Sequence, residues 1–242
     1  MRTQIIDLLT QLGAALPPGF AFNKAGTAYE ALVALSVAYQ FKSPYYRTTV
    51  EVCDHTGTPA SHFVIRQSPG KIHPATANAP RPGFIRLTFH GRRVKRVYEI
   101  HNSVQFEGRS GSNHEQDVSV VAQKTGDDLR NLPGGGRPSG KDLKVAVECK
   151  DIPKGAGVGI ARGSVGNAFD LSPKRSRGGS YKQAFSKTRM FAVAVLGGMS
   201  VGGTRVLDYY GISVYANANP TTPGPHPLIV DVAARIHEDM KR

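Results

Sequence analysis

Cysteine is nearly absent. Cys53 and Cys149 are the only two in 242 residues, too few for a disulfide framework. A reducing cytoplasm is therefore the expected setting. Long apolar runs are missing as well. The N-terminal Ile5-Ile6-Asp7-Leu8-Leu9-Thr10-Gln11-Leu12 is interrupted by Asp7 and Gln11 and has helical spacing, so it reads as neither an export signal nor a membrane span. Acidic residues are scarce too: 18 Asp and Glu stand against 31 Lys and Arg, a formal net charge of +13. Such a balance favours a polyanionic partner over a membrane interior.

With 40% hydrophobic content, the chain is long enough to bury one sizeable core. Helices are expected at residues 3–16, ended by Pro17-Pro18-Gly19, and at residues 25–41, where Ala28, Ala31, Leu32, Leu35 and Ala38 recur at helical spacing. Residues 44–93 hold short β-prone runs (48–53, 62–66, 84–90) between turn-rich segments, and predict a β-rich insertion or extra sheet layer. Its Arg66, Lys71, Arg81, Arg86, Arg92, Arg93, Lys95 and Arg96 are candidates for lining a phosphate groove.

The chemistry concentrates between Asn113 and Asp151. A polar turn, residues 109–116, leads into the run Asp117-Val118-Ser119-Val120-Val121-Ala122. After a Gly-rich hairpin tip at residues 133–140 comes Leu143-Lys144-Val145-Ala146-Val147-Glu148-Cys149-Lys150-Asp151. Alternation along a strand puts Val145, Val147 and Cys149 on one face and Ala146, Glu148 and Lys150 on the other. In the earlier run Val118, Val120 and Ala122 face inward, opposite Asp117 and Ser119. If the runs are neighbours, two carboxylates and an ammonium converge. Carboxylate oxygens suit Mg²⁺, which offsets charge developing on phosphoryl oxygens, and Lys150 is placed to orient or deprotonate a water or to stabilise the phosphate. His114 and Glu115 sit within reach of a metal at Asp117, with His114 a secondary candidate.

Asp117 followed a strand later by Glu148-Cys149-Lys150 resembles the PD-(D/E)xK nuclease superfamily, with Gln116 in place of the proline. The resemblance covers roughly residues 25–41 and 97–217. It implies an α/β, restriction-endonuclease-like fold: a mixed central sheet flanked by helices, carrying the β-rich insertion near residues 44–93. Strand (97–106), acid strand, acid-x-Lys strand, helix (158–171), buried strand (190–196), Gly-rich turn, short helix (204–210) and last strand (212–216) follow the order it requires. It further implies Asp117 and Glu148 as Mg²⁺ ligands, with Mn²⁺ able to substitute, and Lys150 acting on the attacking water. A preceding helix would supply a glutamate toward the metal. Glu30, in Gly26-Thr27-Ala28-Tyr29-Glu30-Ala31-Leu32-Val33, reads either as that residue or as a solvated helix charge.

Lys174, Arg175, Arg177 and Lys182, interleaved with Gly178, Gly179 and Tyr181, form a basic run suited to backbone phosphates. The expectation is a single nuclease domain: N-terminal helices over 1–43, β-rich insertion over 44–96, catalytic core over 97–217, and linker plus C-terminal helix over 218–242. Its substrate would be DNA, with a homodimer able to cut both strands of a duplex, in restriction, defence or recombination. A rival reading is a non-catalytic nucleic-acid-binding protein on the same scaffold, and a weaker one is a small-molecule enzyme using the Gly155 loop. Two phosphate-loop look-alikes fail. Gly135 to Lys141 is followed by Asp142 and a strand instead of Ser/Thr and a helix. Gly155-Ala156-Gly157-Val158-Gly159 lacks dinucleotide-loop spacing.

Overall fold

The computed structural model describes residues 1–91, 95–172, 189–219 and 226–242. Seven strands form one mixed sheet in sequence order: β1 (Thr48–Cys53), β2 (Phe84–His90), β3 (Lys95–Glu107), β4 (Asn113–Ala122), β5 (Val145–Lys150), β6 (Met190–Val195) and β7 (Ser213–Tyr215). β1 to β5 run antiparallel; β5, β6 and β7 are parallel. The chain is thus α/β, a mixed sheet with helices on both faces.

One face is covered by α1 (Arg2–Gln11), α2 (Ala25–Gln40) and α6 (Pro227–Lys241). The other is covered by α3 (Gln123–Arg130), α4 (Val158–Leu171) and α5 (Val201–Tyr209). α2 is the central element of the first layer. Tyr29, Val33, Leu35, Val37 and Ala38 are all inaccessible, so apolar residues wrap most of its circumference, as a fully enclosed helix requires. The β-rich stretch near 44–93 supplies β1 and β2 to the edge of this same sheet. Residues 62–66 form no strand; His62 only bridges Ala15. The Gly-rich tip is pinned, since Gly136 and Ile72 exchange backbone hydrogen bonds of 2.8 and 2.9 Å.

β3 and β4 change faces midway. Tyr98 and Ile100 pack in the layer under α2, whereas Val104 and Phe106 pack in the opposite layer. Strict alternation would keep all four together. On β4, Val118 and Val120 belong to the α2 side, while Gln116 lines a small cavity with Ala146, Ala168 and Phe191 on the α4 side. The switch falls between the pairs Asn102↔Val118 and Val104↔Gln116, at Ser103 and Asp117. Ser103 has φ 49°, a left-handed conformation that costs an L-residue about 1–2 kcal/mol. Strain of this kind persists where surrounding structure enforces it and concentrates at working sites.

Candidate metal centre

The face switch assembles the acidic residues. Ladder pairing of β4 with β5 covers Val118–Val120 against Val145–Val147, and next to it the Asp117 side chain takes over: Oδ2 accepts the Cys149 N–H at 2.6 Å. A carboxylate thereby stands where the strands part. Because β4 starts at Asn113, Glu115 lies on the same strand, two residues away. Glu30 arrives from α2, where its Oε2 accepts the Ser103 hydroxyl at 2.5 Å. The strained residue thus holds one of the acids. Carboxylate oxygens of Glu30, Glu115 and Asp117 all lie within 4.8 Å of one another.

Glu148 and Lys150 flank this group as an ion pair, Nζ to Oε1 2.5 Å. Glu148 stands outside the three-carboxylate set but inside its field. Burial raises the Asp117 pKa well above the ordinary range, and the charges of Glu148 and Glu30 push the same way. Glu30 is raised to about 7, by burial first and then by Glu115 and Glu148, against the Ser103 hydrogen bond and Lys150. Glu115 is raised by burial and by Glu148. Burial pulls Lys150 down, yet Glu148 and Asp117 outweigh it and hold its pKa above the usual lysine value.

The arrangement is therefore acid in excess: four carboxylates facing one ammonium. Each acid opposes ionisation of the next, and a divalent cation would relieve that repulsion. Three hard oxygen donors within reach of one point suit Mg²⁺ or Mn²⁺. Residue chemistry and spacing fit such an ion, with Glu30, Glu115 and Asp117 as the residues to hold it.

Of the sequence-derived candidates, Asp117, Glu30, Glu148 and Lys150 come together here. His114 does not: its Nε2 pairs with Asp170 at 2.6 Å and its Nδ1 with Asn167 at 3.1 Å, toward α4. Lys174, Arg175, Arg177 and Lys182, like Arg92 and Arg93, lie outside the described residues. Glu115 was read in the sequence as a turn residue within reach of a metal at Asp117, not as one of its ligands. The signal that places it is the acid-x-acid spacing Glu115-Gln116-Asp117, which becomes decisive once the strand extends back to Asn113.

No protein-family model matches this chain, and no curated protein matches it. Among solved structures, the chain is similar to NucC of P. aeruginosa ATCC27853 in a cAAA-bound form. Identity is 9% and the TM-score 0.33, covering 89% of this chain and 74% of that one. A likeness at that score carries no functional weight. Among the described residues, no helix is long and apolar enough to cross a membrane.

Proposed function

We propose that the protein is a divalent-metal-dependent endonuclease that hydrolyses DNA phosphodiester bonds. The observation that carries this reading is the convergence of Glu30, Glu115 and Asp117 within 4.8 Å, beside the Glu148–Lys150 pair. The acid, then acid-x-Lys pattern that resembles the PD-(D/E)xK superfamily supports it, as does the order of strands and helices. A formal charge of +13 favours a nucleic-acid substrate.

A divalent ion in this set supplies Lewis-acid charge that offsets the negative charge growing on a phosphoryl oxygen. Lys150 remains an ammonium, so its task is to donate hydrogen bonds, orienting the attacking water or steadying the phosphate, instead of removing a proton. Glu148 fixes that ammonium at 2.5 Å. Ser103 and the Cys149 N–H hold Glu30 and Asp117 in place, so the donor set is preorganised by the sheet itself.

The test is incubation of plasmid and of single-stranded DNA with Mg²⁺, Mn²⁺ or chelator, using wild type, Asp117→Ala and Lys150→Ala. Cutting that needs metal, is lost in Asp117→Ala and falls by about 10²–10³-fold in Lys150→Ala is expected. Cutting undiminished in Lys150→Ala would assign the activity elsewhere, and salt-sensitive binding without cutting would favour a non-catalytic nucleic-acid-binding protein.

A further inference from the structure

Two arginines are buried among the described residues, Arg66 at 6% and Arg130 at 3% exposure. Arg130 is fully compensated by Glu99 and Asp127. Arg66 is not. Among the described residues its guanidinium has no carboxylate at ion-pair distance and no side-chain hydrogen bond; only its backbone is engaged, by Asn102. Burial pulls the Arg66 pKa down to about 10, against the opposing charge of Glu115, so an anion reaching the fork would relieve the cost of its burial.

The surroundings are built around it. Asn102 accepts the Arg66 N–H at 3.4 Å and donates to its carbonyl at 3.0 Å, tying Arg66 to β3 one residue before the strained Ser103. Gly70 exchanges backbone hydrogen bonds with Ser103 and Gln105, and a Cβ there would meet Arg66 Nη1 at 2.7 Å. The missing side chain is what leaves room for the fork. Gln67 in turn binds the backbone of Ala21 and Asn23, drawing in Lys24, the residue that opens α2. Arg66 and Lys24 both lie within the field of Glu115. By contrast, Arg86 is taken up by Glu51 and the Gly57 carbonyl, and Arg96 by the Asp239 carbonyl.

We propose that Arg66 is the phosphate clamp of the acidic centre: its buried, uncompensated guanidinium receives the backbone phosphate of the nucleic acid beside the scissile bond, with Lys24 at the rim. This rests on the phosphodiesterase reading above. A planar two-pronged donor suits a phosphate and would fix the strand against the metal ligands.

The experiment measures binding of a DNA duplex across a NaCl series, with chelator, in the Lys150→Ala background, and cleavage kinetics with Mg²⁺ in the otherwise wild-type chain. Arg66→Gln is expected to reduce the slope of log Kd against log [NaCl] by about one, the loss of one phosphate contact. It should raise KM, with kcat/KM falling about 10- to 100-fold, as for a charged hydrogen bond lost. Arg66→Lys should keep the slope and recover much of kcat/KM. Gly70→Ala, which displaces the fork without removing its charge, should raise KM and stands in for Arg66→Gln if that variant does not fold. A folded Arg66→Gln or Gly70→Ala with unchanged slope and KM would overturn the clamp. Failure of the parent reading is distinct: the wild type itself would show no metal-dependent cutting.

Discussion

Two groups of charge lie against strand β3, one at Glu99 and one beyond Ser103, and they obey opposite rules. At Glu99, the carboxylate is inaccessible and fully matched: Arg130 pairs with both oxygens, Oε2 at 3.0 Å, and His101 Nε2 approaches Oε2 at 2.9 Å. Phe84 closes the group, stacked on His101 and lying 4.4 Å under the Arg130 guanidinium. Past Ser103, Glu30 from α2 meets Glu115 and Asp117 from β4; no ion pair joins any of the three among the described residues, and Lys150, Lys24 and Arg66 oppose their charge only at longer range. Both groups are at least half-buried; only one is balanced. A satisfied cluster fixes structure, whereas an uncompensated one stores a demand for a ligand.

The electrostatics follow the same division. Burial pushes Glu99 up, but His101 and Arg130 together hold it below the ordinary carboxylate range. Across the switch, Glu30, Glu115 and Asp117 are all raised. Glu99 is held ionised, whereas the acids of the second group resist ionisation.

Breaking the open group should cost chemistry. Lys150→Ala is expected to lower kcat by about 10²–10³-fold, read by plasmid relaxation, with the thermal midpoint near wild type. Breaking the closed group should cost stability. Arg130→Met leaves Glu99 without its main partner and is expected to lose about 3–5 kcal/mol in urea unfolding.

Gly126 sharpens the same point from the other side. It lies within α3, where alanine would ordinarily gain up to about 1 kcal/mol. Here an added Cβ would stand 2.1 Å from Glu99 Oε2, so Gly126→Ala should instead destabilise by about 1–3 kcal/mol, seen in denaturant midpoints.

The pH dependence should also split. In metal-free protein, the raised Glu30 means the folded state keeps a proton that the unfolded chain releases. Its contribution is present in mildly acidic solution and lost as pH rises through about 7. Glu99 and His101 have the reverse sign: both are depressed on folding, so their contribution is lost on acidification. Urea midpoints from pH 5 to 8 in chelator should fall less steeply toward high pH in Glu30→Gln than in wild type. At the small end, Lys124→Ala removes the exposed Lys124–Asp128 pair and should leave the midpoint unmoved.

Most of this architecture was legible. Runs rich in apolar residues located α2, α4 and α6 and strands β3, β5 and β6 to within a few residues. α3 was not legible, since its buried side presents Gly126 and Arg130 where a pattern reader looks for aliphatics. The face switch was equally hidden: a serine, not a glycine, adopts the left-handed conformation at 103, and only tertiary packing enforces it. That one local event explains the partial reading of the site. Alternation set Asp117 beside Glu148 and Lys150 on the face away from Val118 and Val120, whereas the switch turns Asp117 to meet Glu30 of α2 on the Val118 side. Alternation gave no sign that β4 begins at Asn113, where Glu115 joins Asp117, nor that Arg66 lies buried with no ion-pair partner among the described residues.

If the acid excess at the switch is a cation site, it binds Mn²⁺ saturably. Mn²⁺ titration followed by electron paramagnetic resonance, on wild type, Asp117→Asn and the surface variant Lys124→Ala, tests it most directly. Saturable Mn²⁺ binding in wild type and Lys124→Ala, lost in Asp117→Asn while the fold is retained, is the predicted result. Equal binding by folded Asp117→Asn, or none by wild type, would contradict it.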